Sequence, residues 1–366
     1  MSIIIFIIIL LVLVLVHEFG HFFTAKRFGI RVDEFGFGFP PKLFGKKFGE
    51  TEYTLNLLPL GGFVRIFGES PDEDSINGPD ATRSFVNKAK WKQAIVLFAG
   101  IFANFLLAWL LLSFCFMSGL PTSVDSNIAS SNLSDIHVVV VSVLPKSPAA
   151  LAGLKSGDKI IDITSGKNST TYISPATVQS FVVGSEGKEI DIGYTRGKNT
   201  QINIAKVVPL QNLVDNKLEI GISMDMIGTA KLPFLSAIWE GLRLDWSMSK
   251  DTVVGLYTLI YQGIHGKANF SSVTGPVGMV GIVGDAYSFG FVYLLSFMAL
   301  ISINLAVINL VPFPALDGGR LFFLLIEKIK GSPINPKVAN TVNTVGFCVL
   351  IFLMLLITYH DVIKLF

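Results

Sequence analysis

The chain opens with a long apolar run that contains two histidines: SIIIFIIILLVLVLVHEFGHFF, residues 2–23. About 20 apolar residues are enough for a helix to cross the hydrocarbon core of a bilayer. The run lacks a basic start and an Ala-x-Ala cleavage site, and it continues into ionisable residues, so we interpret it as a retained helix rather than a signal peptide. Ionisable side chains inside a span cost about 3 kcal/mol each and usually mark function.

Within this run, His17-Glu18-Phe19-Gly20-His21 has the spacing of a metal-binding helix. Residues four apart project from the same face of an α-helix, so the two imidazoles can donate nitrogens to one Zn²⁺. Glu18 lies between them, where it can take a proton from a water activated by the metal. A polar patch at a helix end is the simpler interpretation, but the apolar residues before His17 place the motif deep in the span. We therefore predict a zinc site at this depth.

The rest of the chain also has the composition of a membrane protein. Of its 366 residues, 51% are apolar and only 15% are charged, whereas soluble domains carry about 25% charged residues. The net charge of +2 gives no reason to expect a nucleic-acid partner. We predict four transmembrane helices, at about Ser2–Phe23, Ala94–Met117, Phe289–Val311 and Val342–Tyr359.

Basic residues near the span ends predict the orientation. Between the first two spans they are Lys26, Arg27, Arg31, Lys42, Lys46, Lys47, Arg65, Arg83, Lys88, Lys90 and Lys92. Between the last two they are Arg320, Lys328, Lys330 and Lys337. Both connections are therefore predicted to face the cytoplasm, and both termini and the long middle segment to face outward.

The middle segment has the pattern of a small folded domain. After a polar linker over residues 118–135, short β-branched runs alternate with turns, and helical breaks occur at Ser147–Ala152 and Ser174–Val183. This favours a small, partly open barrel. The stretch GLKSGDKI, residues 153–160, resembles the turn after the first helix of PDZ domains, which offer a strand edge or groove to an extended peptide. A barrel that only limits access is an equally open interpretation.

Residues 232–262 carry apolar side chains at helical spacing, with charged residues between them. We predict an amphipathic helix that lies at the membrane surface. The lipid bilayer is thus an expected partner of this segment as well as of the spans.

A catalytic zinc site needs a third protein ligand. His137, His265 and His360 are the remaining histidines. Asp317 is the better candidate, within NLVPFPALDGGR at residues 309–320. Its two prolines prevent regular helix, and Gly318-Gly319 allows a tight turn. Broken backbone at membrane depth is tolerated only where it lines a buried site or a wet cavity. The first and third spans both run inward, and His17 and Asp317 each lie toward the cytoplasmic end of their span, so the two motifs could meet at one depth.

HEFGH and NLVPFPALDGGR together resemble the motifs of the site-2 protease family of intramembrane zinc metalloproteases. The PDZ-like insert is similar to the bacterial branch that includes the regulator-of-sigma-E protease. The resemblance implies zinc held by His17, His21 and Asp317, Glu18 as the general base, and Asn309 as a residue that holds the substrate or its oxyanion. It also implies residence in the bacterial cytoplasmic (inner) membrane. The implied substrates are single-pass membrane proteins such as a trimmed anti-sigma factor, or residual signal peptides.

Three further stretches match the same family. ETEYTLNLLPLGGFV, residues 50–64, resembles its membrane-re-entrant β-hairpin. The alternation there suits a strand that adds a substrate strand to its edge, with Tyr53, Thr54, Leu55, Asn56 and Leu57 as the substrate-binding residues. GPVG at residues 275–278 is similar to the family's SGPVGI stretch. GIFANF at residues 100–105 resembles its GPxxNF, with Ile101 in place of the proline.

The predicted fold is thus a polytopic α-helical membrane protein with about four transmembrane helices, a membrane-associated β-hairpin and one inserted PDZ-like α+β domain. The predicted divisions are 1–117 with HExxH and the hairpin, 118–230 with the PDZ-like domain, 231–288 with the surface helix, and 289–366 with the second motif. The predicted function is hydrolysis of peptide bonds within or near transmembrane segments.

Two functions from other classes use the same features. A metal-ion transporter could use the same ligands, but transporters usually show internal repeats, and none is visible between residues 1–120 and 280–366. A catalytically silent adaptor could bind peptides through the PDZ-like domain. Such an adaptor would have no need for Glu18 between the two histidines.

Overall fold

The computed structural model describes residues 1–70, 72–124, 133–166, 168–197, 201–211, 218–266 and 274–364. The helices within these ranges are α1 (Ser2–Arg27), α2 (Glu73–Asn77), α3 (Lys90–Ser118), α4 (Pro148–Leu151), α5 (Pro175–Gly184), α6 (Phe234–Ile264), α7 (Pro276–Phe289), α8 (Phe291–Leu310), α9 (Asp317–Lys330) and α10 (Pro336–Lys364). The strands are β1 (Val32–Phe48), β2 (Thr51–Ile66), β3 (Leu120–Ser123), β4 (Leu133–Val143), β5 (Lys159–Ser165), β6 (Asn168–Thr170), β7 (Ile190–Thr195), β8 (Asn203–Val207), β9 (Leu210–Gln211), β10 (Leu218–Glu219) and β11 (Ile222–Ala230).

Four of these helices, α1, α3, α8 and α10, are long and apolar enough to cross a membrane. They correspond to the four spans predicted from the sequence, because long apolar runs satisfy their backbone groups best as helices in lipid. The third helix, Phe291–Leu310, is shorter than the predicted span Phe289–Val311 at both ends. In the most apolar window of α10 only 6% of the residues are buried within the protein. The chain is a membrane protein with these helices and several β-sheets.

The chain forms two compact units. One contains Met1–Leu111, Arg243–Gly284 and Phe297–Phe366. The other contains Leu112–Leu242 and Asp285–Ser296. The first carries both sequence motifs, and the second carries the β-rich middle segment.

In the first unit, β1 and β2 pair as an antiparallel two-stranded sheet whose long strands fold back on each other. The segment 53–55 pairs on one side with residues 35–37 and on the other with residues 44–46. It is therefore an inner segment of the sheet, and the prediction that Tyr53–Leu57 offers an open edge was wrong for Tyr53, Thr54 and Leu55. The free edges belong to residues 62–66 and 42–48. The sequence could not show this, because pairing of β1 on both sides is a non-local property.

Two polar side chains of this inner segment have structural partners. Thr54 Oγ1 donates to Glu34 Oε1 at 2.8 Å, and Asn56 Nδ2 donates to the Gly38 carbonyl at 3.1 Å. Both side chains are buried. Proline at either position would therefore break the hairpin itself. The leucines near the tip, Leu55 and Leu57, remain about half exposed, at 53% and 51%.

The GPVG stretch begins helix α7 and lies against the end of α10. Gly278 N–H donates to Asp361 Oδ2 at 2.9 Å. A Cβ at Gly275 would overlap the Asp361 carboxylate and Ile357. The aspartate thus accepts one of the free N–H groups in the first turn of α7, where a negative charge also stabilises the helix dipole. This stretch joins two helices and does not touch the zinc-binding motifs in any contact of the described residues.

The second unit contains a sheet of order β3-β11-β4-β5-β7-β8, with β6 paired to β5. Its core is aliphatic, and two predicted helical breaks are α4 and α5. Each of these helices begins at a serine whose side chain accepts a backbone N–H: Ser147 from Ala150 and Ser174 from Thr177. The predicted linker differs, because Leu120–Ser123 pairs with β11 as strand β3. The remainder of that linker over residues 125–132 lies outside the described residues.

The helix predicted over residues 232–262 is α6, which begins and ends two residues later than expected. Trp239, Trp246 and Tyr257 expose 66%, 69% and 68% of their surface. Aromatic side chains of this kind favour the interface between hydrocarbon and water.

Candidate metal centre

Helix α1 holds the two motif histidines on one face. His17 and His21 are buried, each 7% exposed. Their Nε2 atoms lie 3.2 Å apart. The separation of four residues causes this approach, because it is close to one helical turn.

The carboxylate of Asp317 completes the group. Its Oδ2 lies 3.0 Å from His17 Nε2 and 3.2 Å from His21 Nε2. Ligands bonded to zinc at 2.0–2.1 Å in a tetrahedron lie about 3.3 Å from one another. The three atoms therefore form one face of a tetrahedron of nearly the size that zinc requires, and three protein ligands leave one position for water or substrate.

Asp317 reaches this position through an irregular loop over residues 311–316 and a helix that starts at Asp317 itself. Ala315 has a left-handed backbone, with φ of 73°. Its N–H donates to Asn343 Oδ1 of α10 at 3.2 Å. The interruption of the helix was predicted from the two prolines.

The predicted tight turn at Gly318-Gly319 was wrong. Both glycines lie in the first turn of α9, and both are buried. A Cβ at Gly318 would overlap the Leu310 and Val311 carbonyls, and one at Gly319 would overlap the Phe313 carbonyl. The glycines are therefore required by close backbone approach, whereas Ala315 supplies the turn.

The hydrogen bonds of the site leave lone pairs directed at one point. His21 Nδ1 lies 2.8 Å from the Val96 carbonyl, which can only accept, so the His21 proton is on Nδ1 and its Nε2 is free. Asp317 Oδ2 is buried and has no hydrogen-bond partner among the described residues. Two imidazole nitrogens and a carboxylate oxygen that converge in this way need either a shared proton or a metal cation between them. The residues present fit a zinc ion.

Glu18 lies close enough to His17, His21 and Asp317 to interact with each of them electrostatically. Its carboxylate accepts a hydrogen bond from the Val64 backbone N–H, in the edge segment of the hairpin. A carboxylate beside the metal ligands, without being one of them, is positioned to receive a proton. The hairpin edge and the catalytic motif therefore meet at Glu18.

The other predicted site residues are not among the three ligand residues. Asn309 is half-buried in the last turn of α8 and makes no hydrogen bond within the described residues. His137, His265 and His360 do not belong to the ligand cluster. Tyr53, Thr54, Leu55, Asn56 and Leu57 lie in the hairpin as described above.

Helix α3 contributes contacts to the site that sequence reasoning did not assign. Asn104 is fully buried, and its Nδ2 lies 3.3 Å from His17 Nδ1. A Cβ at Gly100 would overlap the His21 ring, and one at Gly20 would overlap the Ala99 carbonyl. The GIFANF stretch carried this signal, because glycine and asparagine are unusual within an apolar span, but the contact across two helices is not visible in one sequence.

The first prediction concerns Gly100. Replacing it with Ala is expected to weaken zinc binding at least tenfold, because the new methyl group would overlap the Nε2 end of His21 and displace a ligand atom. The check is zinc affinity measured by competition with a chromophoric chelator. Gly255→Ala is the control, since a Cβ there meets no atom within 4 Å. Wild-type zinc affinity in the Gly100 variant would contradict the close packing of α1 on α3.

Known proteins with similar sequences align with this chain over nearly its whole length. The profile described as "Peptidase family M50" matches residues 5–353. A protein of Clostridium perfringens named as a zinc metalloprotease is 37% identical over 355 residues, covering 96% of this chain and 95% of its own. The regulator of sigma-W protease of Bacillus subtilis is 32% identical over 440 residues, covering 100% of this chain and 99% of its own. A protein of Fusobacterium nucleatum named as a zinc metalloprotease is 32% identical over 373 residues and covers 100% of both chains.

The matched range includes the two histidines, Glu18, Asp317, the whole of α3 and α8, and most of α1 and α10. Three observations indicate zinc-dependent hydrolysis of peptide bonds. They are the convergence of three ligand atoms, the carboxylate beside them, and the near-complete alignment with zinc metalloproteases. These observations favour a protease over the transporter and adaptor interpretations. The chain belongs to peptidase family M50, the site-2 proteases, and is an intramembrane zinc metalloprotease.

Proposed function

We propose that His17, His21 and Asp317 hold the catalytic zinc and that Glu18 is the general base. The observation that carries this assignment is the convergence of the three ligand atoms within 3.2 Å of one another. When bound, zinc acidifies a water molecule and polarises the scissile carbonyl. A Glu18 oxygen accepts the proton of that water and later delivers it to the leaving amine.

We propose single-pass membrane proteins as substrates. A transmembrane helix hides its peptide groups in its own hydrogen bonds, so the segment must unwind before it is cut. A trimmed anti-sigma factor is the favoured class, since one relative is named as a regulator of sigma-W protease. Residual signal peptides are a second candidate class, because they too are apolar helices in the membrane. The test is cleavage of purified single-span substrates, with and without their extracytoplasmic domains, by the zinc-loaded protein. Cleavage of a soluble unfolded protein at an equal rate would contradict an intramembrane specificity.

Asn309 is proposed to hold the substrate carbonyl. Its amide is half-buried and makes no hydrogen bond within the described residues, so a donor is available. Asn309 lies eight residues before the proposed zinc ligand Asp317 in the sequence. A donor placed where negative charge develops would stabilise the transition state.

The hairpin is proposed to bind the unwound substrate as an added strand, with the edge moved from residues 53–57 to residues 62–66. Support comes from Val64, whose N–H already donates to Glu18. An unwound segment has free backbone N–H and C=O groups. Leaving a peptide group without a hydrogen-bond partner in hydrocarbon costs about 5 kcal/mol. A strand edge satisfies them without regard to side-chain identity, which suits an enzyme with several substrates.

The second prediction tests that edge. A photo-crosslinking amino acid at Arg65 is expected to capture substrate, whereas one at Phe48 on the opposite edge is not. Both side chains are exposed, so accessibility does not distinguish them. The measurement uses a variant that cannot cleave, so that substrate remains bound. Equal capture from Phe48 would show that the free edge beside Glu18 does not select the substrate.

The second unit is proposed to be PDZ-like and to receive an extended peptide. A cleft of about 730 Å³ lies between α5 and the β10–β11 segment, with Val178, Val182, Ile220 and Met224 in its walls. An apolar cleft beside a strand is the kind of site that accepts a peptide by strand addition. A role limited to restricting access remains the alternative, and binding of the trimmed end of a substrate to the full-length protein would distinguish the two.

We further propose that the middle segment and both termini lie outside the cytoplasmic membrane of a bacterium. The basic residues near and between the apolar parts of α1 and α3, and those between the apolar parts of α8 and α10, support this orientation. The domain divisions predicted from the sequence, at 1–117, 118–230, 231–288 and 289–366, are part of the same proposal.

The third prediction is topological. A cysteine at Ser169 is expected to react with a membrane-impermeant thiol reagent added outside intact cells, and one at Lys46 is expected not to react. Both positions are exposed in the structure. The parent protein supplies the background from its own cysteines, Cys115 and Cys348. Labelling at Lys46 but not at Ser169 would reverse the orientation.

A further inference from the structure

The side chain of Asn104 contacts a zinc ligand on the side away from the metal position. It is 0% exposed, and its Nδ2 lies 3.3 Å from His17 Nδ1. Ser302 of α8 donates to the Asn104 backbone carbonyl at 2.8 Å. The asparagine is thus held between α1 and α8, and its amide has little freedom except rotation about the Cβ–Cγ bond.

The protons of His17 determine which amide atom belongs there. His17 Nε2 points at Asp317 and must be unprotonated to bind a metal, so the ring proton of the neutral imidazole is on Nδ1. An Nδ1–H group can only donate, and an amide NH₂ group cannot accept. With Asn104 Nδ2 facing His17 Nδ1, two hydrogen-bond donors therefore face each other. Asn104 Oδ1 is buried in this orientation and has no hydrogen-bond partner among the described residues.

A half-turn of the amide removes this conflict. It exchanges Oδ1 and Nδ2, two atoms that occupy nearly identical positions and whose assignment depends on the hydrogen-bond network. After the exchange, Oδ1 accepts the His17 Nδ1 proton. One amide atom lacks a protein partner in either orientation, so the exchange adds no new cost of that kind.

The neighbouring ligand is held in the same way. His21 Nδ1 donates to the Val96 carbonyl, also on α3, at 2.8 Å. One helix would then supply the acceptors for both histidines. Such partners fix the tautomer and the orientation of a ligand ring, and their loss typically lowers metal affinity 10–100-fold.

We propose that Asn104 is a positioning residue of the zinc site, whose side-chain oxygen accepts the Nδ1 proton of His17 and leaves Nε2 free for the metal. The inference rests on the proposed zinc ligands. It assigns the asparagine of the GIFANF stretch a role in metal binding rather than in contact with substrate.

The test is zinc affinity of the purified full-length protein, measured by chelator competition, with three substitutions. Asn104→Leu keeps the shape and removes the acceptor, and it is expected to weaken zinc binding 10–100-fold. Asn104→Asp can accept a proton but has no NH₂ group, and it is expected to bind zinc at least as tightly as the wild type. Ser302→Ala is the packing control, because it removes the bond to the backbone of Asn104 and leaves the amide in place; its affinity is expected to stay within about threefold of wild type.

His17→Ala separates this inference from the proposed site. If His17→Ala keeps wild-type affinity, the ligand assignment itself fails. If His17→Ala loses zinc and Asn104→Leu does not, only the role of Asn104 is overturned. Equal weakening by Asn104→Asp and Asn104→Leu would also overturn it, because an acceptor would then not be the property that matters. Should the Leu variant not fold, as judged by thermal unfolding without zinc, Asn104→Ala replaces it with the same expectation.

Discussion

Replacing Glu18 with Gln is expected to abolish detectable cleavage of a transmembrane substrate while bound zinc stays at the wild-type level. Glutamine has the shape of glutamate and can still accept the Val64 N–H, but its amide cannot take up a proton. Loss of a general base costs about 10²–10⁴-fold in rate. Because the same residue returns the proton to the leaving amine, we expect a loss near the upper end of that range.

The measurement pairs single-turnover cleavage with zinc content on the same preparation. Glu186→Gln is a suitable control, since it makes the same chemical change on an exposed side chain of the second unit. Turnover like that of the wild type in the Glu18 variant would end the general-base assignment. Loss of zinc together with activity would instead show that Glu18 contributes to holding the metal.

The sequence predicted the spans well and singled out the two histidines as candidate metal ligands, because each feature has a strong local or compositional signature. A run such as residues 2–23 can satisfy its backbone in lipid only as a helix, and HEFGH fixes two ligands by helical spacing alone. The pairing of Asp317 with this motif depended on a family resemblance and on the two prolines. The structure places their ligand atoms within 3.2 Å of each other.

The features that sequence reasoning missed all depend on contacts between residues that are not adjacent in the sequence. Gly318 and Gly319 have no left-handed backbone and are required by carbonyl groups of residues 310–313 that approach them closely. Residues 53–55 alternate like an edge strand, yet β1 pairs with them on one side and folds back to pair on the other. Asn104 meets His17 across 87 positions of sequence. A single sequence records the residue in each case, but not the neighbour that gives it a function.

Replacing Asp317 with Ala is expected to reduce zinc affinity more than 100-fold and to remove activity with it. Loss of a residue that only orients a ligand costs 10–100-fold in metal affinity, so loss of a direct ligand should exceed that range. Two histidines alone do not complete the set of three protein ligands that catalytic zinc sites have. Asp317 is also the first residue of α9, where its charge stabilises the helix by about 0.5 kcal/mol.

The helix effect is small and is measured separately, as the thermal unfolding of zinc-free protein. His360→Ala is the decisive comparison, because His360 was the other candidate at the end of a span and its buried Nε2 has no partner among the described residues. We expect this variant to keep its zinc, since His360 lies outside the ligand cluster. If Asp317→Ala retained zinc and His360→Ala lost it, the third ligand would be the histidine, and α10 rather than the first turn of α9 would complete the site.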